Sequence, residues 1–378
     1  MANILRTLKN KYVAMRGFHT NRHLVVIESD DWGSIRMPSR EVFCHLQECG
    51  DHPERDGFLR NDSLETEGDL TALYEVLSSV RDQHGSPAVI TANYVMANPD
   101  FDRIDIEAGR YSHEPFWKTY EKYGMSADRM LQCIQQGIQE GVFYPQLHCR
   151  EHLNVNRWMQ ALREGRVDAR LAFENRMIGV YASFSPTNRF GYMDAFNTDV
   201  TSMAELEEIL GEAAAMFAKT FGYESKTFVA SCFVWDNALE RAMPKHGILG
   251  IQSAVWQDRP VGKNGQYKLK RKIRYTGQKS KHGPIYTVRN CAYEPAILQN
   301  PDECVKACLD AVHRSFAAHK PAIINSHRLN YIGTIHPHNA QDNLRGLKQL
   351  LTQIKQDYAD VEFITSAQLI DIIRQEEK

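Results

Sequence analysis

HLVVIESDDW, residues 23–32, is the stretch on which the fold turns. Residues 23–29 are a nearly continuous apolar run, without the alternation of a sheet face exposed to water. Such a run suits a strand covered on both faces, as in a parallel sheet. It ends on two adjacent acids, Asp30 and Asp31. Buried acids need compensation from a cation, a metal or hydrogen bonds. In the bland reading, one of them only caps the following turn. Neighbouring side chains in a strand point to opposite faces, so the two acids cannot do one job until the backbone turns.

Working outward, the same grammar recurs. Strands are expected at 87–95 (PAVITANYV), 142–148 (VFYPQLH), 227–235 (TFVASCFVW), 321–327 (PAIINSH) and 361–366 (VEFITS), with a short strand or loop at 250–256. Helices are expected at 39–48, 68–83, 126–140, 154–164, 203–220, 301–318 and 338–357, with a short one at the end. Ser202 and Glu205 suggest a capping box, Gly222 a helix stop, and Pro301 a first helical turn. Residues 172–197 read as a long loop. Strands alternating with helices predict a largely parallel α/β sheet, open or closed into a barrel. Polar residues gather where the strands end. No repeat or linker divides the chain, so one domain is expected over residues 1–378.

The composition narrows the class. The chain has 378 residues, of which 43% are hydrophobic, which is enough for a large core and excludes wholesale disorder. Its 45 Lys and Arg against 47 Asp and Glu give a net charge of -2, with no global reason to expect nucleic-acid binding. The eight cysteines form no CxxC pair and no disulfide signature. The first residues are charged and break before any signal-like apolar segment, and no window reaches membrane-spanning length. A reduced, cytoplasmic protein with no membrane partner is expected, with homo-oligomerisation left open. One local exception is the basic stretch at 263–282, which carries Lys268, Lys270, Arg271 and Lys272. It reads as an exposed hairpin insertion, either simply solvated or in contact with an anion.

Three strand ends carry metal-capable groups: Asp30-Asp31, His148 with His152, and Asn325-Ser326-His327. Histidines four apart suit two nitrogen ligands on one cation if the backbone turns helically between them. A third ligand must then come from elsewhere in the chain. Residues 148–152 also spell HxxEH, the short signature of a zinc peptidase with Glu151 as base. That motif needs a helix, and Pro145 argues that none has begun.

In this order and spacing, Ser29-Asp30-Asp31-Trp32, His148 with His152, and Asn325-Ser326-His327 resemble the polysaccharide deacetylase family. The resemblance runs from about residue 23 to 375. It implies a distorted (β/α) barrel of about seven strands holding one divalent metal, usually zinc. It also implies Asp30 as general base, Asp31, His148 and His152 as ligands, and His327 as general acid to a leaving amine. The implied reaction is hydrolysis of an amide C–N bond, in an N-acetylated sugar or a related small N-acylated substrate. A catalytically silent carbohydrate-binding protein on the same fold is the alternative from another class. The family's middle-strand Arg-x-Pro, whose arginine pairs with the base, is absent from residues 230–235 (ASCFVW). Arg150, Arg289 and Arg328 are the candidates to replace it. Asn93, Trp32, Trp235 and Arg328 are the expected substrate contacts, with Tyr94, Trp256 and Tyr331 as further aromatics near the strand ends.

Overall fold

The computed structural model describes residues 15–185, 189–262 and 265–376. The apolar run becomes strand β1 (Leu24–Trp32), buried along its whole length. It pairs in parallel with β2 (Ile90–Val95) on one side and with Ala322–His327 on the other. From β2 the parallel order continues through β3 (Phe143–Cys149), β4 (Thr227–Val229), β5 (Gly250–Ser253) and β6 (Ile285–Val288). The strand Ala322–His327 is β7, and a short β8 (Glu362–Phe363) pairs with the start of β1.

The ring closes through a strand that changes partners. β6 lies against β5, whereas Cys291 and Ala292, only three residues further on, lie against β7. Between them, Asn290 joins Ile323 through its backbone N–H (3.0 Å) and its side-chain Oδ1 (2.8 Å). Treating 285–292 as one continuous run, and leaving out β8, reduces the nine-stranded sheet to a closed, all-parallel ring of seven. Parallel neighbours need long crossovers. These are supplied outside the ring chiefly by α1 (Glu67–Ser78), α2 (Ala127–Gln139), α3 (Val155–Arg163), α4 (Met203–Phe221), α5 (Pro301–Ala317) and α6 (Pro337–Asp357), and a terminal helix α7 (Ser366–Glu376) follows the last strand. The fold is a distorted (β/α) barrel. Its interior is unusually polar: Glu28, Thr91, Asn93, Gln146, Thr227, Gln252 and Thr287 are all fully buried. They satisfy one another, as in the reciprocal Asn93–Gln252 pair at 2.7 and 2.9 Å.

Local chemistry explains most boundaries. Thr66 and Asp69 form a reciprocal capping box on α1. Ser202 caps α4 by accepting from Glu205 N, and Gly222 ends that helix at φ 80°. The Glu205 carboxylate instead accepts from Asn156 (3.0 Å), so it is held by a side chain of α3.

Four expectations are corrected. The strand expected over 227–235 stops at Val229, because Cys232 and Phe233 take left-handed conformations. The loop expected over 172–197 begins inside a helix, Val167–Glu174. The closing run 285–292 had not been expected. The basic hairpin is built from Trp256–Pro260 and Leu269–Ile273. Lys263 lies outside the described residues, and Arg274 leaves the exposed basic face to donate from a buried position to Gln257. Among the described residues, no helix is long and apolar enough to cross a membrane.

Candidate active site

The chemistry gathers at the carboxyl ends of the strands, where side chains leave the ladder and loops begin. At the end of β1 the register to β2 shifts between Ser29 and Trp32. Within that bulge Asp31 adopts φ 75°, a conformation L-residues avoid. The pleat alone would send Asp30 and Asp31 to opposite faces. The bulge turns both into the same cavity.

His148 is the penultimate residue of β3, and its Nδ1 lies 2.9 Å from the Val229 carbonyl. That contact places the ring proton on Nδ1 and leaves Nε2 free as a donor atom. Nε2 sits 3.4 Å from Asp31 Oδ1. His152, in the loop beyond, also sets its Nε2 3.4 Å from Asp31 Oδ1. The donor atoms of the three residues all lie within 4.8 Å of one another. Asp31 Oδ1 is buried without a hydrogen-bond partner, while Oδ2 accepts from Arg36 at 3.0 Å. An orphaned carboxylate oxygen facing two imidazole nitrogens fits one divalent cation. Burial pushes His152 down to about 3, which keeps it neutral. Burial opposes the charge on Asp31, but His152, His148 and Arg36 hold its carboxyl well below the usual range.

The two histidines share no helix. One is on a strand and the other in a loop, with ring centroids 4.9 Å apart. Glu151 is engaged by Arg150 (2.8 Å) and Tyr111 (3.1 Å), outside the three-residue set. This geometry does not fit the peptidase reading of HxxEH.

Facing the set are Asp30 and His327, with His327 Nε2 3.9 Å from Asp30 Oδ2. Both Asp30 oxygens are gripped by Arg289, each at 2.7 Å, and Asn93 donates to Oδ1 at 2.7 Å. Arg289 therefore occupies the role left open by the missing middle-strand arginine. It reaches Asp30 from the partner-switching run, and its Nε donates to Glu28 at 2.7 Å. Arg150 pairs with Glu151 and Glu212, and Arg328 with Asp62 and Glu65. Although burial disfavours its charge, the Arg289 guanidinium brings Asp30 down to about 2. His327 has a partner of its own: its Nδ1 lies 2.6 Å from Glu294 Oε1. Burial works against the imidazolium, but Glu294 outweighs it and lifts His327 to about 9. Glu294 was not anticipated, because nothing in its spacing ties it to the late histidine.

The expected substrate contacts are corrected. Trp32 is 1% exposed, donates to Ser29 Oγ and stacks near Tyr331. Trp235 is wholly buried and donates to Glu240. Arg328 is also wholly buried, in its ion pairs. Asn93 has no exposed surface and serves Asp30 and Gln252. Tyr94 and Tyr331 lie in the core, and Trp256 is on the basic hairpin. None of these lines the cavity of about 350 Å³ over the acid and imidazole cluster. Its apolar wall is Phe58, Phe184, Phe190, Met193 and Phe233. Nearness to a strand end in sequence did not reveal which face each aromatic takes.

No family model and no curated protein matches the chain. Similar solved structures include one described as a polysaccharide deacetylase from Pseudomonas aeruginosa PAO1, at 10% identity and TM-score 0.47, covering 94% of this chain and 92% of that one. A CE4 family pseudoenzyme from Bacillus anthracis matches at 11% identity and TM-score 0.40, over 93% of this chain and 67% of that one. Puue allantoinase matches at 10% identity and TM-score 0.46, over 94% and 93%. At such identities and scores, function has to be argued from this chain's own geometry.

Proposed function

We propose that the protein is a metal-dependent hydrolase that cleaves an amide C–N bond. The observation that carries this reading is the unpartnered Asp31 Oδ1 set between two imidazole nitrogens, with a carboxylate and a histidine facing it. Asp31, His148 and His152 would hold one divalent ion, and zinc is the ion their chemistry favours. Such an ion polarises a carbonyl and lowers the pKa of water to about 7.

The chain's own groups divide the proton work. Asp30 stays ionised and accepts a proton from the attacking water, with Arg289 and Asn93 fixing where it points. A carboxylate held so acidic is a weak base, so its contribution is position more than basicity. His327, kept protonated by Glu294, delivers a proton to the leaving nitrogen. A purely carbohydrate-binding protein would have no use for this acid–base pair. The sequence resemblance directs the substrate to an N-acetylated sugar or another small N-acylated molecule.

The test is metal analysis of the purified protein together with an amine- and acetate-release screen. About one divalent ion per chain is expected. His148→Ala and His152→Ala should each lose most of it while keeping the native circular-dichroism spectrum. Unchanged metal content in both variants would remove the ligand assignment.

A second expectation concerns pH. The acid form of His327 exists below its pKa, so activity that needs this proton is lost as pH rises through about 9. Glu294→Gln removes the chief raising partner, so the alkaline limb of the kcat profile should move to lower pH. A limb that does not move would show that another group donates the proton.

A further inference from the structure

We infer that the cavity above Asp31, His148 and His152 takes a small amide with an apolar aromatic or aliphatic substituent rather than a polyhydroxylated sugar. This rests on the amide hydrolase proposed above and narrows its substrate. Three separate segments bring phenylalanines into one concavity. Phe58 comes from the short helix Gly57–Asn61, Phe184 and Phe190 from the loop after the turn Tyr181–Ser183, and Phe233 from the turn beyond β4. All four rings are half-buried. Apolar surface concentrated in this way marks a binding site, unlike single exposed residues scattered over a surface.

The backbone pays attention to the same place. Cys232 and Phe233 are consecutive non-glycine residues in the left-handed region, at φ 56° and 55°. Such conformations are costly and persist where surrounding structure demands them, often at ligand sites. Here the demand is to turn the chain away from β4 and set Phe233 against the cavity.

Several polar groups of the wall are engaged already, the exceptions being Arg36 Nε, His152 Nδ1 and the candidate ligand atom Asp31 Oδ1. Asp30 is held by Arg289 and Asn93, and Arg36 lies between Asp31 and Asp62. Arg189 pairs with Asp258, and Asp56 Oδ1 accepts from Phe58 N and Leu59 N. Among the described residues, no Tyr, Trp, Asn or Gln lines the cavity. Ring hydroxyls drawn in from water would find few partners, and each one left unpaired weakens binding. The volume of about 350 Å³ also lies at the small end of the ligand-pocket range of about 300–1,000 Å³.

The experiment uses zinc-loaded full-length protein with four probes: N-acetylbenzylamine, phenylacetamide, N-acetylglucosamine and diacetylchitobiose. Binding is measured by ligand-observed NMR titration, and hydrolysis by release of amine or ammonia. At least one apolar amide should bind and be hydrolysed with kcat/KM about 100-fold or more above both sugars. Phe233→Ala and Phe190→Ala should each reduce that value about 10-fold while leaving metal content unchanged. Sugars that bind as well as or better than both apolar amides would overturn the inference and leave the hydrolase intact. Apolar amides that bind preferentially without being cleaved would support the cavity assignment and remove the hydrolase.

Discussion

Arg289→Met is expected to lower stability by about 3–5 kcal/mol and to abolish most turnover, because it strands two buried carboxylates. Arg289 is the shared partner of Glu28 and Asp30, and all three side chains are buried. Neutralising one of the stranded acids should recover part of the stability. In Glu28→Gln/Arg289→Met the only unpaired carboxylate left from this trio is Asp30, so the denaturant midpoint should rise above that of Arg289→Met. Turnover should not follow, since Asn93 alone then holds Asp30, at one oxygen, where Arg289 had held both. Denaturation curves followed by circular dichroism, with kcat on the same preparations, separate the two effects. Activity that returns in step with stability would reduce Arg289 to a structural residue.

The neighbouring acids should fail in different ways. Asp30→Asn keeps the Asp31, His148 and His152 donor atoms but loses the proton acceptor. Turnover should fall by about 100-fold or more while metal content stays near wild type. Asp31→Asn exchanges an anionic ligand for a neutral amide, so metal content itself should fall. His327→Ala should keep the metal and hurt an unactivated amide more than an activated anilide, whose leaving group needs less protonation. Metal analysis and rates on both substrates decide the matter. Loss of metal in Asp30→Asn with retention in Asp31→Asn would exchange the two roles.

The fold was legible where apolar runs stood between helical periods, as β1, β2, β3 and β7 do. The closing run 285–292 was not. IYTVRNCA carries Thr287 and Arg289 at positions that serve the polar interior, so it lacks the apolar signature of its neighbours. The candidate metal set was legible because histidines and acids at strand ends are chemically conspicuous whatever their distance in sequence. How Asp30 and Asp31 come to share a cavity was not legible, because it depends on a bulge and a left-handed residue that the letters do not announce. The base's arginine could be narrowed only to three residues, since the choice depends on which strand end faces β1. Glu294 stands between Tyr293 and Pro295 with no motif to mark it. The aromatics misled for a related reason: Trp32 ends one strand and Trp235 follows another, but both turn into the core.

The run that changes partners has a consequence for how the protein matures. Arg289 and Asn290 stand at the crossing point, so the step that seals the ring also delivers the cation that aligns Asp30. A chain that has assembled β1 to β3 already brings Asp31 toward the histidines and Asn93 to Asp30, while the two-oxygen clamp of Arg289 is still missing. Under the proposed hydrolase reading, ion capture would precede competence. A half-made molecule would then be far less reactive toward amides than one in which the last stitch is in place.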